Sequence, residues 1–154
     1  MKRRSLLQIS AFAMSMLAFN PINQAQAAEP EIFTDDATSA AVSGYDAVSY
    51  FNASGPQKGD AKFMTEWKGT KWQFSSAENL AAFQATPEKF APQYGGYCAF
   101  AVSKGSTAPG DPLAWTVHDN KLYLNLSSGV QKMWQKDIPG NIISANANWP
   151  NVLQ

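Results

Sequence analysis

The chain has 154 residues, 12 basic against 12 acidic, one His and one Cys. A single Cys forbids an internal disulfide, and this length suits one domain with one main core. All three of the residues Lys2, Arg3 and Arg4 lie in the first four positions, so beyond them nine lysines, no arginine and twelve acids remain, a formal charge of −3. Nucleic-acid recognition, which relies on arginine forks and a basic face, is thereby a poor fit.

Met1 to Arg4 precede an uncharged run from Ser5 to Phe19 rich in Leu, Ala, Met and Phe. This is the charged-then-apolar order of a secretory signal peptide. The run is shorter than the roughly 20 apolar residues that span a bilayer, so no permanent membrane anchor is expected. Small residues at Ala25 and Ala27 place the cut after Ala27 and predict a periplasmic or secreted product. Arg3-Arg4-Ser5-Leu6-Leu7 fits the twin-arginine pattern as well as an ordinary Sec leader.

Residues 28–42 are small, polar and acidic without a period of 2 or 3.6, and are expected to form a flexible N-terminal arm. The ordered domain is expected over residues 43–154. Asp46 can cap a short turn that carries Val48, Tyr50 and Phe51 inward. Phe63, Trp67, Trp72 and Phe74 flank the break Lys68-Gly69-Thr70 and predict a hairpin. Ser75 or Ser76 then caps a helix bearing Leu80, Ala81 and Phe83, and Pro87 opens another helical turn.

Tyr94-Gly95-Gly96-Tyr97-Cys98 opens the most apolar stretch, its glycine pair permitting backbone angles or approaches closed to other residues. Asp119-Asn120, between the alternating runs 115–118 and 121–124, predicts a second hairpin. In the tail, Ser128 with Gln131 suggests a capping box for a helix carrying Val130, Met133 and Trp134. Asp137-Ile138-Pro139 starts a last helix, with Ile142, Ile143 and Trp149 closing the domain. Two short β-hairpins mixed with several short helices and a C-terminal helical segment make the fold class α+β, a small single domain.

Four ordered blocks carry a family likeness: Gly44-Tyr45-Asp46-Ala47-Val48-Ser49-Tyr50-Phe51, Trp72-Gln73-Phe74-Ser75-Ser76-Ala77-Glu78-Asn79, Pro87 to Cys98, and Lys136-Asp137-Ile138-Pro139-Gly140-Asn141-Ile142. In these the chain resembles the YHS domain family, specifically its exported stand-alone members, over Ser43 to about Trp149. The resemblance implies a role in transition-metal handling, copper foremost, because shorter modules attached to copper-transporting ATPases hold cysteines thought to bind metal. Where those modules carry thiols, this chain has Ser49, Ser75-Ser76 and Asn79, poor ligands for soft metals.

Cys98 is the remaining candidate metal ligand, or a reactive thiol at a helix start. The competing reading is a small buried apolar residue. His118 is the only imidazole and the second candidate ligand for Cu(I) or another transition metal; otherwise it is a surface residue at a strand end. Met64 and Met133 are read as packing residues. No paired-Cys or HxxxH spacing exists for a structural zinc site. Asp46, Asp111 and Asp119 stand at turns or caps. One Cys and one His do not define a thiol hydrolase, so the reading is non-catalytic.

Tyr45, Tyr50 and Tyr97 are candidates to line an aromatic pocket beside Cys98 for a small molecule or a protein partner. The leading expectation is an exported accessory protein binding copper through Cys98 and His118. The second is a binding module using the aromatic pocket, and the third a single-thiol redox protein lacking a resolving Cys.

Overall fold

A computed structural model describes residues 28–52 and 55–154; the expected signal peptide lies outside them. The fold is a small α+β domain. Its strands are β1 (Asp60–Trp67), β2 (Thr70–Phe74), β3 (Asp111–His118) and β4 (Lys121–Asn125), and its helices α1 (Ala77–Ala85), α2 (Pro87–Phe90), α3 (Ala99–Ser103), α4 (Ser128–Gln135) and α5 (Ile138–Asn148). β1 pairs antiparallel with β2 and β3 with β4, forming the two expected hairpins.

Both hairpins close on two left-handed residues, Lys68-Gly69 (φ 50° and 69°) and Asp119-Asn120 (φ 48° and 57°). That geometry matches the twist of the flanking strands. Helix starts follow local chemistry. Ser76 accepts a hydrogen bond from the Asn79 amide at 3.1 Å, and Asp137 does the same for Gly140 at 3.0 Å. The capping box at Ser128 is replaced: Ser127 caps α4 by accepting from the Val130 amide at 3.3 Å. Gln131 turns away to donate to the Trp115 carbonyl and to Thr116 Oγ1, tying α4 to β3.

The apolar side chains collect in two clusters. One holds Trp72, Phe74, Phe83, Leu122 and Leu124; the other holds Tyr94, Tyr97, Val102, Tyr123, Trp134 and Ala145. β4 is the wall between them, since alternate side chains of a strand point to opposite faces. Some expected core residues lie outside both. Met64 is 46% exposed, Met133 44% and Ile143 71%, because the stripe each belongs to is narrower than its spacing suggests.

The expected flexible arm is instead docked, and the folded unit begins before Ser43. Ile32, Ala40, Ala41 and Val42 are buried. The Glu29 amide donates to the Leu153 carbonyl at 2.7 Å, the Phe33 amide to the Gly95 carbonyl at 2.9 Å, and the Ala41 amide to the Lys71 carbonyl at 2.9 Å. No hydrophobic period marks this segment because each apolar residue meets a different part of the domain.

Candidate functional site

Asp46 is completely buried and joins the start of the domain to the β2–α1 junction. Its Oδ1 accepts from the backbone amides of Val48 at 2.9 Å and Ser49 at 3.3 Å. Its Oδ2 accepts from the Ser75 amide at 2.9 Å, the Ser75 hydroxyl at 2.6 Å and the Asn79 side-chain amide at 2.7 Å. The Ser49 hydroxyl donates to the Asp46 carbonyl at 2.6 Å and accepts from the Gln57 amide at 2.9 Å. Ser49, Ser75 and Asn79 thus meet in one hydrogen-bonded knot about Asp46. This arrangement holds structure, and its acceptors are saturated.

Cys98 is 1% exposed. It is the N-cap residue of α3, but its side chain makes no capping bond; Asn125, reaching across from the end of β4, supplies the side-chain acceptor. Asn125 Oδ1 accepts from the Phe100 amide at 3.2 Å and from the Cys98 thiol at 3.7 Å. The other half of this buried amide, Nδ2, has no hydrogen-bond partner among the described residues, and the same is true of Trp134 Nε1.

His118 ends β3 opposite Lys121, its Nε2 3.5 Å from the Asp119 carboxylate. Cys98 bridges to Leu124, and Leu124 faces Trp115 on β3. The two candidate ligands are therefore two strand spacings across and three residues along, on the order of 14 Å between backbones. The structure does not bring them together. Among the described residues no group of three or more His, Cys, Asp or Glu side chains is arranged to hold a metal.

The three tyrosines are also divided. Tyr45 and Tyr50 pack with the first cluster and Tyr97 with the second. The Tyr50 hydroxyl donates to the Pro112 carbonyl at 2.9 Å, and burial raises its phenol well above the ordinary range. The Tyr97 hydroxyl donates to the Pro30 carbonyl at 2.8 Å; burial first, and the Glu29 charge second, push it up to about 12.

Surface cavities lie elsewhere: one of about 180 Å³ on Thr65, Trp67, Phe83, Gln84 and Pro87, and two that border the docked segment. One of about 450 Å³ is lined by polar groups that include Thr34, Ser39, Thr70 and Lys71. The other, about 160 Å³, is bounded by Glu31, Lys68, Glu88, Tyr94, Gly95 and Trp149. Ile32 borders both. Tyr94 and Trp149 stand with ring centroids 6.0 Å apart at 60°, and Trp149 also meets Tyr97 at 6.1 Å. This aromatic group adjoins the Cys98 loop, but it is built from Tyr94 and Trp149 in place of Tyr45 and Tyr50.

The signal for it in the sequence was the Tyr94-Gly95-Gly96 run. Tyr94, Gly95 and Gly96 are all left-handed (φ 57°, 61° and 85°), which turns the chain beneath the docked segment. Nothing in the sequence placed Glu31 or Trp149 beside it.

No helix among the described residues is long and apolar enough to cross a membrane. No family model matches the chain, and comparison with curated proteins and with solved structures gives no match.

Proposed function

We propose that this chain is an exported YHS-type accessory protein that acts by binding, not by catalysis, and that its ligand surface flanks the docked segment around Ile32. The four sequence blocks support the family, and the charged-then-apolar leader supports export. The observation that carries the binding reading is the cavity in which Tyr94 and Trp149 adjoin a charged rim. Its lining is mainly polar, with Glu31, Lys68, Glu88 and Gln93 around Ile32, Tyr94 and Trp149, and polar groups that converge on a concavity are what orient a small ligand. By contrast Asp46, Cys98, Tyr50 and Tyr97 are each engaged in bonds within the fold.

Amide-resolved NMR of the purified chain against a library of small fragments tests this reading. Saturable shifts are expected at residues 30–34, 68–71, 94–95 and 149. A library without effect on any of these would sink it. A parallel Cu(I) titration addresses the metal role that the resemblance implies. Tight uptake abolished by both Cys98→Ala and His118→Ala would replace the binding reading with a copper site formed by rearrangement.

A further inference from the structure

We propose that the open edge of β1 pairs with the same edge of a second copy of this chain, antiparallel about Met64. The pairing does not depend on the binding reading.

β1 has a strand partner on one side only. The two-residue turn makes Trp67 and Thr70 a hydrogen-bonded pair, so the backbone groups of Thr65 and Trp67 face β2 and those of Met64 and Glu66 face away. No hydrogen bond from outside the hairpin reaches the Met64 or Glu66 backbone among the described residues. An unpaired edge of this kind is a template for another strand.

The second hairpin shows such an edge covered. It is the counterpart of the first at one constant spacing: Asp60 and Asp111 each accept from the amide two residues on, and Thr65 and Thr116 each accept from a glutamine, Gln84 and Gln135. Ser76 and Ser127 each cap the helix that follows. On β3 the outward carbonyl of Trp115 is taken by the Gln131 side chain. The counterparts of Trp115 and Gln131 are Met64 and Leu80, and a leucine side chain cannot donate.

The side chains select the partner. Asp60, Lys62, Met64, Glu66 and Lys68 are all exposed, whereas Phe63 and Trp67 pack against the first cluster. Two-fold pairing about Met64, which is 46% exposed, sets Lys62 against Glu66 and Asp60 against Lys68, reciprocally. Centring on Phe63 would set Asp60 against Glu66, and centring on Thr65 would set Lys62 against Lys68. Like charges directly opposite are destabilising.

Lys62 and Lys68 already hold Asp60 and Glu31 within the chain. Glu66 is in no ion pair among the described residues, and Lys62 of the second copy gives it one. The Lys62 amide is held by Asp60 Oδ1 at 3.0 Å, and the register with β2 shifts between Asp60 and Met64. The shared ladder is therefore short and the dimer weak.

Sedimentation equilibrium of the purified chain tests this, together with amide hydrogen exchange. The average mass is expected to climb from one chain toward two between about 10 µM and about 1 mM, as for small transient interfaces. The Met64 and Glu66 amides are expected to exchange more slowly as concentration rises. Glu66→Lys is expected to weaken the dimer at least about ten-fold, and Lys62→Glu added to it to recover most of the loss. Met64→Lys, which sets two charges on the axis, is expected to abolish it. All three positions are exposed, and melting temperatures confirm that the variants stay folded.

A monomer at about 1 mM would overturn the second copy as the occupant of this edge. So would a dimer that keeps its affinity in Glu66→Lys and Met64→Lys. A dimer weakened by Glu66→Lys but not recovered by the added Lys62→Glu would overturn the register about Met64.

Discussion

The carbonyl oxygen of Glu31 lies 1.8 Å from the point where a β-carbon on Gly95 would stand. No side chain fits there, and Gly95 also holds a φ of +61°. The docked N-terminal segment and the Tyr94-Gly95 loop are consequently interdependent: the loop leaves room for the segment, and the segment covers the loop.

Gly95→Ala is expected to lift the segment off the domain. Left-handed strain alone is roughly 1–2 kcal/mol, and the lost hydrogen bond from the Phe33 amide adds to it, for a total of about 2 kcal/mol or more. Thermal melting and limited proteolysis within residues 28–42 measure the effect. A variant as stable and as protease-resistant as the parent would contradict the packing.

Asp46→Asn is expected to destabilise the fold by about 3 kcal/mol. Both oxygens of Asp46 face donors only, so either orientation of the amide sets an N–H against an N–H, and each unpaired buried group costs about 1–3 kcal/mol. Urea unfolding checks this, and a loss below about 1 kcal/mol would show that the knot is softer than its geometry.

The thiol of Cys98 is expected to be silent toward aromatic disulfide reagents in the folded chain and to react fully in urea, because it is 1% exposed. Thiol chemistry needs access as well as a thiolate. Fast labelling of the native protein would instead revive the single-thiol redox reading.

Stability is expected to fall in alkali through Tyr97. Its phenol is pushed up to about 12 in the fold, against about 10 when unfolded. Between these values the unfolded chain has released the proton and the folded chain retains it, so the contribution is whole below about pH 10 and is lost as pH rises toward 12. Tyr97→Phe should flatten this part of the pH–stability curve and, by removing the bond to the Pro30 carbonyl, cost about 1 kcal/mol at neutral pH. An unchanged alkaline slope in the variant would reassign the effect to Tyr50 or Tyr94, whose phenols burial also raises.

Features decided by neighbours in sequence are legible in the sequence itself. Asp119-Asn120 between alternating runs could only be a hairpin turn, and Ser76 and Asp137 cap their helices within three residues. The docked segment was not legible, since Ile32 and Ala40 are buried by unrelated partners and leave no period. Ile143 was misplaced for the opposite reason: it has core chemistry but lies beyond the reach of the cluster that Ile142 joins.

The site divides along the same line. Cys98 and His118 stand out by rarity, which says nothing about distance, and β4 separates them. Glu31, Glu88 and Trp149 are ordinary residues far apart in the chain. Only tertiary packing around Gly95 gathers them.

The alternation along β4 sets a condition on how the chain can fold. Leu122 and Leu124 serve one cluster and Tyr123 the other, so a slip of one residue would send leucines and tyrosine to the wrong sides at once. The Asp119-Asn120 turn therefore fixes the registry of β4 against both clusters together. The two halves are expected to melt as one cooperative unit, despite having no apolar cluster in common.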